Sequence, residues 1–252
     1  MAEPFKDHFS TQSTDYARFR PNYPAELFAW LAAVAPARNI AWDCGTGSGQ
    51  AALGLAAHFE RVIATDPSAG QLAHAQPHPR VDYRCAPAEA SNLAAASVDL
   101  LTVAQAIHWF DLDRFFAEAR RVLRPDGVIA AWTYTLLDVE AGIDDLLNDF
   151  YRNVVGPYWP PERSKVDDRY RSLPFPFEPV SAPAFAIRTE WCRDDLLGYL
   201  GTWSATRACM KATASDPLAA FARRLAPLWP DPAQRKSLRW PLHLRVGRHD
   251  NR

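Results

Sequence analysis

A glycine-rich turn between an apolar run and a helix-like segment is the feature that most constrains the fold of this chain. Residues 39–50 read NIAWDCGTGSGQ, in which the apolar run ends at Asp43 and glycines follow at positions 45, 47 and 49. Glycines let the backbone turn tightly, and their missing Cβ atoms let a ligand lie against main-chain N–H groups at a helix start. The stretch predicts a strand, a ligand-binding turn and a helix in succession.

The spacing of these glycines distinguishes between ligands. The dinucleotide fingerprint is G-x-G-x-x-G, whereas this chain has G-x-G-x-G preceded by Asp43. An acid at this place would repel a pyrophosphate and would favour a ligand with an amino group and no phosphate. S-adenosylmethionine fits that description, because it carries an ammonium, a carboxylate, a ribose and an adenine. A structural glycine turn without a ligand is the alternative.

A second acidic residue ends the next predicted strand. The β-branched run 61–65 leads into Asp66, which lies about 17 residues beyond Gly49. In nucleotide-binding α/β folds an acid at this place binds the ribose hydroxyls, and a carboxylate facing two hydroxyls makes a charge-assisted contact. Asp66 followed by Pro67 and Ser68 is also typical of a simple turn. The register with the glycine turn favours ribose binding.

Strands and helices alternate along the first half of the chain, which is typical of a parallel sheet with helices on both faces. The predicted strands lie near 40–43, 61–65, 81–85, 98–103 and 127–133, and the predicted helices near 25–34, 48–58, 68–75 and 111–123. This order predicts an α/β fold with its ligand at the carboxyl ends of the strands.

The pattern changes after residue 135. A helix is predicted over 139–155, an extended insertion rich in proline and aromatic residues over 156–183, a strand over 184–191, helices over 194–207 and 217–228, and a last strand over 243–246. The insertion and the late helices predict a cap over the strand ends. No linker indicates a second domain.

Composition excludes several classes of protein. The chain has 28 lysines and arginines against 29 acidic residues, so its charge does not favour nucleic acid or an anionic membrane. No apolar run approaches the roughly 18 residues that a membrane span needs, and the first residues do not resemble a secretory signal. The four cysteines lack C-x-x-C spacing, so we expect no metal site and a cytoplasmic location.

Several motifs together resemble a known family. They are DCGTGSG at 43–49, ATDPS at 64–68, APAE at 86–89, SVDLLTVAQAIHWFD at 97–111, FFAEARRVLRPDGVIAAWTY at 115–134, and the N-terminal block FSTQSTDYARFRPNYP at 9–24. With these motifs the chain resembles the class I S-adenosylmethionine-dependent methyltransferases of the type 11 group, which includes trans-aconitate methyltransferase. The resemblance is strong up to residue 135 and looser beyond it.

The resemblance implies a Rossmann-like, doubly wound fold. Its sheet is expected to have seven mostly parallel strands with an antiparallel last strand, below a helical and proline-rich cap. The single domain 1–252 would consist of a covering segment at 1–37, a cofactor-binding core at 38–135, a cap with strand six at 136–230 and the last strand at 231–252. With S-adenosyl-L-methionine as cofactor, the implied binding residues are Asp43, Gly45, Thr46, Gly47, Gly49, Asp66, Pro67, Ala88, Glu89 and Gln105.

The same resemblance implies the residues that face the methyl acceptor. His108 leaves the fourth strand, where it would donate a hydrogen bond or act as a base. Tyr16, Arg18 and Arg20 belong to the segment that folds across the cofactor, and Arg20 or Arg18 would clamp an anionic acceptor. Catalytic candidates are therefore His108, Arg20 and Tyr16. An aromatic loop anchor at 108–110, a solvated N-terminal tail and a helix-opening role for Glu89 are the alternatives.

The expected function is that of a methyltransferase of the EC 2.1.1 class acting on a small molecule, with O-methylation of a carboxylic acid favoured. Methylation of a hydroxyl, an amine or a carbon, a catalytically silent cofactor-binding protein and a Rossmann-type oxidoreductase are the alternatives. Residues 104–107 read Ala-Gln-Ala-Ile instead of the Asp/Asn-Pro-Pro-aromatic sequence of enzymes that methylate bases. We therefore expect no nucleic-acid partner, no membrane association, and a monomer or a homodimer.

Overall fold

One mixed sheet organises the computed structural model, which describes residues 21–250. Its strands are β1 (Ile40–Cys44), β2 (Arg61–Asp66), β3 (Val81–Cys85), β4 (Val98–Ala104), β5 (Leu123–Tyr134), β6 (Glu178–Pro179), β7 (Phe185–Trp191) and β8 (Lys236–Arg248). Across the sheet β3, β2, β1, β4 and β5 are parallel neighbours, and β8 follows antiparallel to β5. Both β6 and β7 pair with the far edge of β8.

This topology confirms the predicted Rossmann-like sheet. Counting β6 apart, because it has only two residues, the described sheet has seven strands with an antiparallel last strand. The strand order reverses between β1 and β4. In open α/β sheets that reversal opens a crevice at the carboxyl ends of the strands, where ligands bind. The glycine turn after β1 and the loop after β4 both lie there.

The helices pack on both faces of the sheet and form the cap. They are α1 (Ala25–Val34), α2 (Gln50–Ala56), α3 (Ala69–Leu72), α4 (Leu112–Val122), α5 (Ala141–Asp149), α6 (Arg163–Asp167), α7 (Arg193–Gly201), α8 (Ser204–Thr213) and α9 (Pro217–Leu225). A π-helical turn, Phe150–Val154, extends α5. None of the helices within residues 21–250 is long and apolar enough to cross a membrane.

Local sequence explains where these helices begin. The Asp111 side chain accepts from the backbone N–H of Arg114 at the start of α4, and Asp216 does the same for Leu218 before Pro217 opens α9. Such caps satisfy N–H groups that have no partner inside the helix. The face of α4 that carries Phe115, Ala119 and Val122 is buried.

The structure corrects three details of the prediction for the second half of the chain. The helix expected over 194–207 is two helices, α7 and α8, because the chain turns at Thr202 and Trp203. The insertion expected to lack regular elements contains the short α6 and β6. The strand expected over 243–246 is the much longer β8, whose ends are stabilised by partners on different edges, β7 at its start and β5 towards its end.

Two hydrophobic clusters lie on opposite faces of the sheet. Ala41 belongs to the cluster that contains α1 and α2, and the next residue, Trp42, belongs to the cluster that contains α4. This alternation follows from the opposite orientation of successive side chains in a strand. The cap joins the first cluster through Phe150, Trp203 and other aromatic residues. Cap and sheet therefore share one core.

Candidate active site

The turn after β1 has the backbone that its glycines allow. Gly45, Gly47 and Gly49 have φ values of 69°, 57° and 86°, which are strained for residues with a side chain. The backbone N–H groups of Gly45 and Thr46 both donate to the carbonyl of Thr65 in β2, at 2.8 and 3.0 Å. The glycine turn is thus attached to the neighbouring strand, and α2 starts immediately after it.

The three glycines face different surroundings. A Cβ built on Gly45 would lie 2.6 Å from the Cβ of Ala106, and one built on Gly49 would collide with Tyr83. At Gly47 the nearest atom would be the Oε1 of Gln71, 3.9 Å away. Gly47 is therefore the position with open space for a ligand. Gly45 packs instead on the loop after β4, and its predicted contact with the cofactor stays a prediction.

Asp43 lies beneath the turn and is completely buried. Its Oδ2 accepts from the Thr46 hydroxyl at 2.5 Å, and its Oδ1 accepts from the Thr102 hydroxyl at 2.9 Å. Burial raises the pKa of Asp43 from 3.8 to about 6, against the opposing effect of these hydrogen bonds. The carboxylate therefore holds the turn in shape, and its attraction for a ligand ammonium stays a prediction.

Asp66 ends β2 beside the open glycine. Its Oδ2 accepts from the backbone N–H of Gly47, and its Oδ1 accepts from that of Ser68, both at 2.9 Å. Ser68 caps α3, so Pro67 lies in the short link between β2 and that helix. The structure thus brings the predicted ribose acid, Pro67 and Gly47 together. The ribose contact itself stays a prediction.

The segment after β3 makes a hydrogen bond with the loop after β4. Ala88 is buried in the cluster beneath α4. The Oε1 of Glu89 accepts from the backbone N–H of Asp111 at 2.9 Å. Glu89 therefore supports the start of α4, a role that differs from both sequence interpretations. Its predicted contact with the adenine of the cofactor remains a prediction.

Gln105 is the first residue of the loop after β4, and it has a φ of 57°. Its side-chain N–H donates to the carbonyl of Tyr134 at 3.3 Å, and its Oε1 accepts from the Thr133 hydroxyl at 2.6 Å. Because both ends of the amide contact β5, its orientation is fixed. Gln105 therefore joins the ends of β4 and β5.

His108 lies on the same loop and is 7% exposed. Its Nδ1 is 2.8 Å from the hydroxyl of Tyr170, a fully buried residue that follows α6. Burial raises the pKa of Tyr170. The tyrosine thus keeps its proton and holds the imidazole of His108 by this hydrogen bond.

Two positively charged side chains of α6 act on this histidine. Burial is the largest cause that lowers the pKa of His108, and the charges of Arg163 and Lys165 lower it further, to about 3. The Lys165 ammonium donates to the His108 carbonyl at 3.3 Å. His108 is consequently a neutral imidazole over the ordinary working range of pH.

Sequence reasoning missed four residues here and named three that the structure does not place. The missed residues are Thr133, Tyr170, Arg163 and Lys165; the only signal for the last three was the charged run RSKVDDRYR at 163–171 inside the insertion. The predicted residues Tyr16, Arg18 and Arg20 lie outside the described part of the chain, so their contacts with an acceptor stay predictions.

In the described part, no group of three acidic, histidine or cysteine residues is arranged to hold a metal ion.

Comparison with known proteins identifies the family. The model of a family described as methyltransferase domain matches residues 42–131. A Dictyostelium discoideum protein named as a methyltransferase is 37% identical over 218 residues, which cover 85% of this chain and 83% of the relative. A solved structure from Anaeromyxobacter dehalogenans, described as a type II methyltransferase, has 51% identity and a TM-score of 0.88, and the match covers 92% of this chain and 99% of that one.

A more distant relative comes from Saccharomyces cerevisiae and is named as an S-adenosylmethionine-dependent methyltransferase. It is 32% identical over 150 residues, which are 56% of this chain and 51% of the yeast protein. This chain therefore belongs to the class I S-adenosylmethionine-dependent methyltransferases. It is a methyltransferase, and its cofactor is S-adenosyl-L-methionine.

The described residues fit this cofactor. Gly47 leaves a space that a side chain would fill. The Asp66 carboxylate lies beside that space, because it accepts a hydrogen bond from the Gly47 N–H. Residues 45–49 and Asp66 would hold the bound molecule, which supplies a methyl group on a positively charged sulfur. The loop from Gln105 to His108 touches Gly45 through Ala106; we call it the acceptor loop, after the role that the sequence implies for it.

Proposed function

We propose that this methyltransferase acts on a small molecule and methylates a carboxylate oxygen. The observation that carries the proposal is the state of His108, a buried neutral imidazole that is paired with Tyr170 and flanked by the cations of α6. This arrangement bears on both the chemistry and the charge of the acceptor.

The chemistry follows from the pKa of His108. A general base works best when its pKa lies near the operating pH, and a pKa of about 3 makes His108 a weak base at neutral pH. Tyr170, whose pKa is raised by burial, is no substitute. A carboxylate is already ionised at neutral pH and needs no base. Its methylation would form one carbon–oxygen bond as the bond between the methyl carbon and the cofactor sulfur breaks, with S-adenosylhomocysteine as the leaving group and no proton to remove.

The positive charges of α6 beside the loop favour an anionic acceptor. Arg163 and Lys165 both act on His108 electrostatically, and Lys165 contacts the loop directly. In a partly buried site a nearby cation stabilises an anion more strongly than it would in bulk water. With a net charge of −1, the whole chain has no general attraction for nucleic acid, which supports a small acceptor.

Positioning of the acceptor in line with the methyl group would supply most of the rate enhancement. When two reactants are held in line, effective concentrations reach about 10⁵ M or more in the best cases. Here two sets of hydrogen bonds hold the loop after β4: the Gln105 amide is held by Thr133 and Tyr134 of β5, and His108 is held by the Tyr170 hydroxyl. Together they keep the acceptor loop in a single geometry. His108 then positions the acceptor by a hydrogen bond from its Nε2–H, with Nδ1 accepting from the Tyr170 hydroxyl, instead of removing a proton.

The test is an incubation of the protein with methyl-labelled S-adenosylmethionine and a panel of small carboxylic acids, phenols, alcohols and amines, followed by mass spectrometry. We expect labelled methyl esters of one or a few carboxylic acids. Transfer to an amine or a phenol alone would disprove carboxylate methylation while keeping the methyltransferase function. Cofactor binding without transfer to any acceptor would support a silent cofactor-binding protein.

A further inference from the structure

The side chain of Arg163 is held in one orientation within the cap. Its guanidinium carbon lies 4.5 Å from the ring centre of Trp159 and 5.3 Å from that of Tyr151. The two rings are themselves in contact, with centres 5.2 Å apart, and the Arg163 side chain is only 22% exposed. Stacking on aromatic faces is typical of a guanidinium that is pre-organised for binding.

Hydrogen bonds fix one edge of this guanidinium. The Nε of Arg163 donates to the Tyr151 hydroxyl at 2.7 Å and lies 3.4 Å from Asp167. The Tyr151 hydroxyl in turn donates to Asp167. Within residues 21–250, the hydrogen bond and the ion pair of Arg163 both involve Nε. The two Nη nitrogens, which form the fork that matches a carboxylate or phosphate, make no hydrogen bond to these residues.

The helix that carries this guanidinium, α6, contacts the turn Ile107–Trp109 in the loop after β4. The charge of the guanidinium lowers the pKa of His108 and acts in the same direction on Tyr170. Lys165, two residues further along α6, donates to the carbonyl of His108. Both cations of the helix thus act on the residues at the end of β4, and Asp167 offsets only part of their charge.

We propose that Arg163 and Lys165 form an anion subsite of the cap, which holds an anionic oxygen group of the acceptor other than the atom that receives the methyl group. A guanidinium that bound the reacting oxygen itself would withdraw its electrons and weaken it as a nucleophile. Binding energy from a remote group instead orients the acceptor. Tyr151, Trp159 and Asp167 are positioning residues for Arg163. The location of the subsite rests on the proposed function, but its affinity for anions can be measured without methyl transfer.

The experiment is calorimetric titration of the full-length protein saturated with S-adenosylhomocysteine. The probes are succinate and glutarate for carboxylates, glycerol 3-phosphate for phosphates, and succinamide as a neutral analogue. The variants are Arg163→Met and Arg163→Lys, and the matched control is Arg152→Met. Arg152 is an exposed cation of the same cap, so its loss changes the net charge equally. Comparing carboxylates with the phosphate identifies the preferred anionic group.

In the wild type we expect at least one anionic probe to bind more tightly than succinamide. Arg163→Met should weaken that binding by about 10- to 100-fold, the range for a lost charge-assisted hydrogen bond. Arg163→Lys should recover only part of it, because an ammonium cannot reproduce the planar fork. Arg152→Met and the affinity for S-adenosylhomocysteine should stay within about twofold of the wild type.

Two results would overturn the subsite: no preference of the wild type for anions, or equal losses in Arg163→Met and Arg152→Met. If Arg163→Met does not fold by circular dichroism, the Arg163→Lys variant decides, since unchanged anion affinity in it would exclude fork-like recognition. Anion binding that depends on Arg163, together with no methylation of any carboxylic acid, would keep the subsite and reject the proposed reaction.

Discussion

The cofactor side and the acceptor side of this crevice are built in different ways. On the cofactor side many of the contacts are made by backbone groups, such as the N–H groups of Gly47 and Ser68 that donate to Asp66, although threonine hydroxyls hold Asp43. On the acceptor side they are made by side chains from distant segments, as in the pair of His108 and Tyr170, 62 residues apart. Backbone geometry suits a cofactor that a whole family shares, whereas side chains can change with the acceptor.

Backbone strain is also distributed unequally. Positive φ values on the cofactor side fall on the glycines of the turn, where they cost little. On the acceptor side they fall on Gln105, Arg169 and Tyr170, where each costs roughly 1–2 kcal/mol. Arg245 of β8 partly offsets this cost by donating to the Tyr170 carbonyl at 2.7 Å. The acceptor side therefore maintains its geometry against strain, which is a common property of functional sites.

The largest effect should come from Gly47→Val. The new side chain would enter the open space of the crevice, and a β-branched residue is disfavoured at a φ of 57°. We expect cofactor binding to fall by about 100-fold or more, measured by calorimetry on protein whose folding is checked by circular dichroism. Gly201→Ala is the control, because its Cβ would make an ordinary contact of 3.5 Å with Leu218. Unchanged affinity in Gly47→Val would place the cofactor elsewhere.

Asp66→Ala should have the next largest effect. The substitution removes the predicted ribose contact and frees the N–H of Gly47, so S-adenosylmethionine and S-adenosylhomocysteine should both bind about 1.5–3 kcal/mol more weakly. Asp82→Ala, which removes an exposed acid of β3 paired with Arg61 and Arg84, should leave both affinities unchanged. If calorimetry gave the same cofactor affinity for Asp66→Ala as for the wild type, Asp66 would not belong to the site.

Asp43 should make cofactor affinity depend on pH. Its pKa in the free protein is about 6, and a bound ligand with a positive ammonium would lower it, so binding would release a proton. Affinity should then decrease as the pH falls below 6, by up to about tenfold per pH unit. The dependence should be absent in Asp43→Asn. A pH profile of affinity that is identical in both proteins would show that the cofactor is insensitive to this charge.

The raised pKa of Asp43 also determines whether the free energy of unfolding rises or falls with pH. Because burial raises the pKa of Asp43 above its unfolded value of 3.8, the folded state holds the proton more tightly. Its stabilising contribution is therefore complete below pH 3.8 and is lost as the pH rises through about 6. In urea titrations between these values, the free energy of unfolding should decrease with pH more steeply in the wild type than in Asp43→Asn.

His108→Ala should have the smallest effect on the rate. With a carboxylate acceptor, kcat should fall by less than about tenfold, because no proton is removed, whereas loss of a general base costs about 10²–10⁴-fold. The wild-type rate should also show no titration of His108 between pH 5 and pH 8, since its pKa is about 3. A loss in the larger range in steady-state assays would point to a hydroxyl or carbon acceptor.

The sequence predicts more of the cofactor side than of the acceptor side. The reason is again that one side depends on local backbone geometry and the other on side chains from distant segments. The turn at 43–49 and Asp66 could be predicted because glycines and strand ends leave a local signal at fixed spacing. The contacts of His108 with Tyr170 and with Lys165 depend on how the insertion folds back over β4 and β5. Its prolines indicated an irregular segment and gave no information about which side chains return to the crevice.

The carboxylate reaction is tested most directly by the stability of the methylated product in base. The full-length protein would be incubated with methyl-labelled S-adenosylmethionine and the acceptor panel, and the product then treated with mild alkali. We expect the label to be released as methanol, because methyl esters hydrolyse under conditions in which methylamines, methyl ethers and methyl groups on carbon survive. Label that stays in a base-stable product would contradict carboxylate methylation and, with it, the positioning role proposed for His108.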